Sequence, residues 1–488
     1  MELFNTKTRK LEKFKPLQER ELKVYYCGPT VYNYAHIWNL RTFIFEDIVV
    51  KTLKFIGYNV ATTMNITDVD DKTIKASVEE WTDLKTFTKK YTASFLEDIE
   101  KLWIQKADNL VPVTTLMPEM SRMINTMIKR KNAYLSDDGS IYFDVKSFRK
   151  YWRLANLDMK WMKQWVRIDN DEYDKDSASD FVLWKAWKES DWENFWEEEF
   201  DIDWKQITIK WRPGWHIECS ACNMKYFGQQ IDIHMWWVDL IFPHHQNEVA
   251  QTEACTRKEF ARYWLHSWHL MVDWKKMAKS SNNFYTLRDI EEKFTDINKS
   301  VLYRSIRLWF MNAKYSSQID FSFSKLEANI NAINSIDKTL KTLWREIEAW
   351  DKEVWWISRD FREYTQEILQ TYVYHLEDDF NVPEALAMFH SFLKFLNSWI
   401  RENEFSLEEL FSAKDFLETL NQVLGIIDFS ILEIKEEISA EILEKLENRN
   451  NAKKEKDFEK ADLIRDDLLV LWYKIIDSRE GSRLEKIR

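Results

Sequence analysis

The sequence predicts an α/β protein: a parallel sheet within the first 300 residues, an insertion interrupting it, and an all-α remainder. Three observations carry this. First, KVYYCG (23–28) is a short apolar run, LRTFIFEDIVVKTLKFIG (40–57) has helical spacing, and NVATTMNIT (59–67) is apolar again. Strand, helix, strand in that order is the pattern of a parallel βαβ unit. Second, another β/α region follows at about 207–290. Third, from about residue 300 onward Leu, Ile, Phe and Trp recur at helical spacing between mixed charges, the signature of helices packing one apolar stripe into a core.

Taken in order, MELFNTKTRKLEKFKP reads as a strand and loop, without the apolar stretch of a secretory signal. Residues 76–135 read as helical from apolar spacings of three and four. Around 115–205 the pattern turns irregular and charged, with SDDGSIYFDV (136–145) as an island of strand and turn. That stretch is expected to be an insertion between two halves of one sheet. The expected domains are therefore 1–300 with the insertion, a helical bundle at 301–400, and a C-terminal region at 401–488. The segment NRNNAKKEKDFEKADLIRDDL (448–468) is a charged helix, read from charge alone as a solvated face. Internal repeats and long Pro/Gly/Ser linkers are absent.

Composition narrows the functional classes. A chain of 488 residues accommodates two to four domains, and no run of about 18 apolar residues suggests a membrane span. Only four cysteines occur, which points to a reducing cytoplasm with thiols available for metal or chemistry. The net charge of −12 weighs against coating nucleic acid through bulk charge, while leaving room for a local basic surface that reads a folded RNA.

Two groups of residues suggest chemistry. Cys27 ends a predicted strand, Cys219 lies in WHIECSAC, and His244 and Glu248 lie in PHHQNE. Pro243 suits a helix start, so His244 and Glu248 share one helical face. Two thiolates, an imidazole and a carboxylate suit Zn²⁺; a pair of buried thiols beside a helix-start histidine is the plainer alternative. Cys219-x-x-Cys222 offers a rival knuckle with no second C-x-x-C to complete it. For phosphate, neither GxxxxGK[ST] nor GxGxxG is present. What remains is His36-Ile37-Trp38-Asn39 at a strand-to-helix junction, where helix amides can receive phosphate. Downstream, Lys276-Met277-Ala278-Lys279-Ser280 is either a phosphate clamp or ordinary solvated surface.

Together these two segments are similar to the paired signatures of class I aminoacyl-tRNA synthetases. The wording around them resembles the cysteinyl-tRNA synthetase family: YYCGPTVYNYAHIWNLRTF, MNITDVDDKTIK, WRPGWHIECSA, DLIFPHHQNE, YWLHSWHLMVDWKKMAKS and LEDDFNVPEAL occur in the family's order. The likeness runs from about residue 20 to the terminal KDFEKADLIRDDL and REGSR. It implies a Rossmann-like parallel-sheet catalytic domain, a helical bundle, and a small C-terminal anticodon-binding domain. It implies Zn²⁺ on Cys27, Cys219, His244 and Glu248, and a cysteine pocket lined by Thr67, Trp215, His234 and Asp239. His36 and Asn39 would hold ATP phosphates, and Lys276 and Lys279, in the loop 274–284, would neutralise the departing pyrophosphate, with Mg²⁺ accompanying ATP. The implied partners are L-cysteine, ATP and tRNA(Cys), in a cytoplasmic monomer without membrane attachment. On this reading the charged helix at 448–468 also touches RNA. Two rivals remain: a related ligase joining cysteine to an amino sugar, which lacks the anticodon region, and a non-catalytic paralogue.

The departures from the family's pattern are nearly all alike. Tryptophan stands where the family has glycine at Trp38, Trp81, Trp103, Trp165, Trp211, Trp236, Trp237, Trp268, Trp274 and Trp472. The chain holds 7 Gly and 25 Trp, and together they approach the roughly 34 glycines that average usage gives a chain of this length. UGA is read as tryptophan in some genetic codes and as glycine in others, so a glycine-reading gene translated under a tryptophan code produces this substitution pattern. A milder departure is Ala278, where serine is commoner. Mass spectrometry of the protein from its native host is expected to find glycine at positions 38 and 236; tryptophan there would sink the recoding explanation.

Overall fold

In the computed structural model the described residues are 1–155, 180–191, 193–202, 205–276, 283–350, 357–402, 405–432, 440–471, 473–478 and 481–486. They form two compact units, Met1–Asp428 and Phe429–Arg488.

The first unit opens with a hairpin, β1 (Glu2–Asn5) and β2 (Lys10–Lys13). The expected βαβ unit follows as β3 (Glu21–Tyr26), α1 (Ile37–Phe55) and β4 (Asn59–Ile66), with β3 and β4 parallel. Then come α2 (Asp71–Glu79), α3 (Leu84–Lys101), β5 (Asn109–Pro112) and α4 (Met117–Lys129). Strand β5 breaks the stretch expected to be helical. It is a four-residue parallel edge strand, too short between long helices to impose its own period on the sequence.

The insertion is better ordered than its sequence suggests. Strands β6 (Ala133–Leu135), β7 (Ile141–Phe143), β8 (Phe181–Ala186), β9 (Trp196–Ile202) and β10 (Lys205–Pro213) form an antiparallel sheet in the order β6-β7-β8-β10-β9. Charges on β9, such as Glu197 and Glu199, lie on the exposed face, and this polar face disguises the strand. Residues 156–179 lie outside the described part.

After the insertion the chain returns to the parallel sheet through α5 (Trp215–Tyr226), β11 (Ile231–Trp237), α6 (His244–Thr256) and β12 (Ala261–Ser267). The sheet order is β12-β11-β3-β4-β5, with every neighbouring pair parallel. From β3 the chain builds outward through β4 and β5, then returns to build the other way through β11 and β12. The reversal between β3 and β11 is a topological switch point, and the crevice outside the carboxyl ends of those strands is where such sheets bind ligands.

Helix α1 runs across this layer buried on nearly every face. Its Asp47 meets Arg307 at 2.5 Å, both side chains fully buried, and Lys51 at 2.8 Å. Arg307 lies on α8, so this pair fastens the helical layer to the sheet. That layer comprises α7 (Leu287–Lys293), α8 (Lys299–Met311), α9 (Phe323–Glu348), α10 (Arg359–Glu377), α11 (Val382–Glu402) and α12 (Leu407–Leu424). The expected all-α remainder is interrupted by β15 (Ile319–Phe321), which pairs with β13 (Leu270–Val272); β13 in turn forms a hairpin with β14 (Lys275–Lys276). The second unit holds α13 (Ala440–Lys454), α14 (Phe458–Val470) and a hairpin of β16 (Tyr473–Ser478) with β17 (Gly481–Lys486).

Three of the tryptophans at family glycine positions sit where backbone geometry favours glycine. Trp81 (φ 53°) and Trp103 (φ 57°) follow α2 and α3 in the left-handed region. At each the hydrogen-bond pattern is a Schellman motif: Trp81 N to Val78 O and Thr82 N to Ser77 O, then Trp103 N to Glu100 O and Ile104 N to Ile99 O. Trp274 (φ 59°) follows Asp273 (φ 50°) in the two-residue turn of the β13–β14 hairpin, where Asp-Gly is a preferred sequence. Trp165 and Trp472 lie outside the described residues.

A left-handed conformation costs an L-residue with a Cβ roughly 1–2 kcal/mol. Trp81 and Trp274 are 88% and 77% exposed, so removing either indole sacrifices little packing. Trp81→Gly and Trp274→Gly are each expected to stabilise the chain by about 1 kcal/mol, read as a higher midpoint in thermal unfolding. A lower midpoint for both would refute the glycine assignment at these sites.

Candidate active site

The carboxyl ends of β3 and β11 meet the amino ends of α5 and α6, and four side chains converge there. Cys27 follows β3, Cys219 lies on α5, and His244 and Glu248 lie one turn apart at the start of α6. Cys27 Sγ stands 3.9 Å from Cys219 Sγ, 3.8 Å from His244 Nε2 and 3.9 Å from Glu248 Oε1. His244 Nε2 is 3.0 Å from Glu248 Oε1. All four are buried, and their donor atoms lie within 4.8 Å of one another. The structure thus brings together every ligand expected from the sequence, and the donor set, two sulfurs with one nitrogen and one oxygen, suits a tetrahedral zinc site.

Electrostatics fit the same role. Burial pushes the Cys27 thiol well above its usual range, reinforced by neighbouring Cys219. Burial also acts upward on Cys219, but the Cys27 hydrogen bond and His244 outweigh it and draw the thiol down. On His244 burial acts downward, and Cys219 and Glu248 overcome it to raise the imidazole to about 9. Burial would raise Glu248, yet His234 and His244 hold it at about 2. Protons and charge are shared within a dry cluster, as expected of groups arranged around a cation.

A second layer surrounds these four. His216 Nδ1 is 2.8 Å from His244 Nδ1, and His245 Nδ1 is 2.8 Å from His266 Nε2, which is held in turn by Thr6. Such contacts fix the orientation of ligating imidazoles. Cys27, His234, His245 and Glu248 form an overlapping set of potential ligands; it shares Cys27 and Glu248 with the first and so belongs to the same centre.

The expected cysteine-pocket residues divide. Trp215, first residue of α5, packs its ring 4.3 Å from the His244 ring. Thr67, just past β4, donates to Glu218 Oε2 at 3.2 Å. His234 is fully buried, stacks on Trp264 and meets Glu248 Oε2 at 2.9 Å. Asp239 has His269 Nε2 3.5 Å from its carboxylate.

The expected nucleotide residues also divide. His36 caps α1: its Nδ1 accepts from Asn39 N, while Asn39 Oδ1 accepts from His36 N, both at 3.3 Å. The box takes up the amides of His36 and Asn39, and the next amide, Leu40 N, donates to His36 O at 3.1 Å. Ile37 N donates to Tyr285 O at 2.9 Å, so the segment just after the lysine loop touches the first signature. Lys276 ends β14, and Lys279 lies outside the described residues. Indoles crowd the α1 end of the crevice: Trp38 lies 4.8 Å from Trp237 and 5.4 Å from His269, and Trp237 stacks on His36 at 6.1 Å.

Sequence reasoning did not single out Asn65, Glu218, His216, His245 or His266. Asn65 had a legible signal: two residues before Thr67 at the end of a strand, it shares Thr67's face.

The model of class I (C) tRNA synthetase catalytic domains matches residues 13–331, and that of the DALR domain matches 372–428. The chain is 38% identical over 486 residues to the cysteine–tRNA ligase of Chlamydia felis strain Fe/C-56, covering 99% of this chain and 98% of that one. It is also 38% identical to the cysteine–tRNA ligase of Brachyspira hyodysenteriae, over 99% of this chain and 98% of the relative. Among solved structures, Mycobacterium tuberculosis methionyl-tRNA synthetase in complex with methionyl-adenylate shares the fold, with a TM-score of 0.56 at 11% identity over 83% of this chain and 90% of that one. The parallel sheet, the crevice at its switch point and near full-length identity converge on one conclusion: the chain belongs to the cysteine–tRNA ligase family of class I aminoacyl-tRNA synthetases.

Proposed function

We propose that the chain activates L-cysteine with ATP and transfers it to the 3′ end of tRNA(Cys). The observation that carries this reading is the buried set Cys27, Cys219, His244 and Glu248 at the switch point, beside the capped start of α1. In the first step the cysteine carboxylate attacks the α-phosphate of ATP; a new C–O–P linkage forms and the bond to the β-phosphate breaks, releasing pyrophosphate. The adenosine hydroxyl at the tRNA end then displaces AMP. Neither step requires a nucleophile from the protein, so catalysis rests on positioning and charge stabilisation.

On this reading His36 and Asn39, at the start of α1, hold the ATP phosphates, and Lys276 and Lys279 meet the charge of the departing pyrophosphate with Mg²⁺. Thr67, Trp215, His234 and Asp239 surround cysteine. Zinc held by Cys27, Cys219, His244 and Glu248 would supply a soft acid that binds a thiolate and not a serine hydroxyl, a distinction a plain pocket makes poorly. No helix among the described residues is long and apolar enough to cross a membrane, and we propose a cytoplasmic monomer. The match at 372–428 favours tRNA over an amino-sugar acceptor, and we assign anticodon reading to the C-terminal region.

An indole at position 38 occupies space that the nucleotide needs. Chain carrying glycine at the ten positions is expected to show cysteine-dependent ATP–pyrophosphate exchange and to charge tRNA(Cys) transcripts, whereas the literal sequence shows little of either. Absence of both activities from the glycine-bearing chain would overturn the proposal.

Metal loading has a pH signature. Without metal, Cys27 stays protonated across neutral pH and His244 is protonated below about 9; both protons must leave when the ligands bind. Apparent zinc affinity is therefore expected to rise with pH between about 6 and 9, measured by competition with a chromophoric chelator. Cys219→Ser should lose the zinc and with it the preference for cysteine over serine in exchange assays.

A further inference from the structure

We infer that Asn65 is a positioning residue: one buried amide holds the Thr67 hydroxyl against the substrate and ties it to the thiol pair. The inference rests on the cysteine-activating reading above. Asn65, Thr67, Tyr25, Glu218 and Cys219 are each no more than 1% exposed, so their polar atoms depend on protein partners rather than on bulk water.

The orientation of the amide is fixed by chemistry. Asn65 Oδ1 accepts from the Gly28 backbone N at 2.9 Å and from Tyr25 OH at 2.8 Å. A backbone N–H only donates, so the oxygen must face Gly28 and the nitrogen must face away. That nitrogen donates to Thr67 Oγ1 at 3.1 Å. Thr67 Oγ1 also contacts Glu218 Oε2 at 3.2 Å. Asn65 and Glu218 thus hold the hydroxyl from both sides. Cys219 Sγ lies 3.7 Å from the same Asn65 oxygen, so the amide touches a metal-ligand sulfur and the residue after Cys27 together.

Gly28 makes this approach possible. A Cβ at position 28 would fall 1.5 Å from the Asn65 carbonyl oxygen, which no rearrangement of a side chain relieves. Glycine lets the end of β3 lie against β4, and the amide bridges the two strand ends. Thr67 pairs through its backbone with Thr30, which lines a cleft together with Asp70 and Trp215. A single planar group thus touches both the Cys219 sulfur and the Thr67 hydroxyl.

The test uses the chain with glycine at the ten positions. Asn65→Asp retains the oxygen that serves Gly28 and Tyr25 and replaces the donor to Thr67 with an acceptor; Asn65→Ala removes both arms. For each variant, KM for cysteine and for ATP in pyrophosphate exchange, zinc content and thermal midpoint are measured. The expected result is a cysteine KM raised about tenfold or more, with ATP KM within about twofold and one zinc retained in Asn65→Asp. Unchanged cysteine KM in both variants overturns the inference. So does a loss in which cysteine KM, ATP KM and zinc content move together, because that marks a merely structural role. If Asn65→Asp fails to fold, Asn65→Ser decides by the same criteria. An inactive parent overturns the cysteine-activating reading and this inference with it, whereas an active parent with unaffected variants overturns this inference alone.

Discussion

Burying two thiols, an imidazole and a carboxylate at one point is the constraint around which this fold is arranged. Their exposures are 3% or less, and ionised groups taken out of water are costly unless a partner compensates them. The protein supplies part of that compensation through His234 and His244, which meet opposite oxygens of Glu248. A divalent cation held by the four would complete it. The contributing elements are far apart in sequence, with the strand holding Cys27 and the helix holding Cys219 separated by 192 positions. They meet because the parallel sheet reverses its direction of growth between β3 and β11, bringing the end of its first strand beside the helices that follow the insertion.

Helix α1 links this centre to the rest of the molecule. Its first turn borders the crevice, and Arg41 donates to the carbonyls of Trp268, His269 and Ser317, bracing the segment that leads to the lysine loop. Farther along, Asp47 receives Arg307, whose guanidinium also donates to Leu424 O at the end of α12. Removing one partner of such a buried pair leaves the other charge uncompensated, at a cost of about 3–5 kcal/mol. The same helix thus carries one border of the crevice and the seam with the helical layer.

Much of this was legible in the sequence because its signals are local. The strand–helix–strand alternation at 23–67 survives in β3, α1 and β4, and the spacing of His244 and Glu248 needs only helical geometry to make them neighbours. Convergence of Cys27 with Cys219 was not a matter of spacing; it came from family resemblance, and the strand order supplies the physical reason. What stayed hidden depended on partners distant in sequence. Strands β6–β10 show mixed polar faces, so their pairing is visible only in the assembled sheet. Asn65 reads as one polar residue in an apolar strand until Gly28, Tyr25 and Cys219 arrive from elsewhere to use it. His234, expected in the cysteine pocket, also meets Glu248, a contact that only the folded chain reveals.

The left-handed backbone at Trp81, Trp103 and Trp274 reaches beyond this one molecule. Helix termini and hairpin turns accept a narrow choice of residues for steric reasons that no genetic code alters, so the folded backbone acts as an independent reader of what a codon meant. An indole at such a position agrees with a glycine codon read as tryptophan, although lysine takes the same conformation at Lys131 and Lys456. Other genes of the same genome can be read in this way: tryptophans gathering at Schellman positions and two-residue hairpin turns would reveal the codon assignment without any sequencing of the tRNA that delivers it.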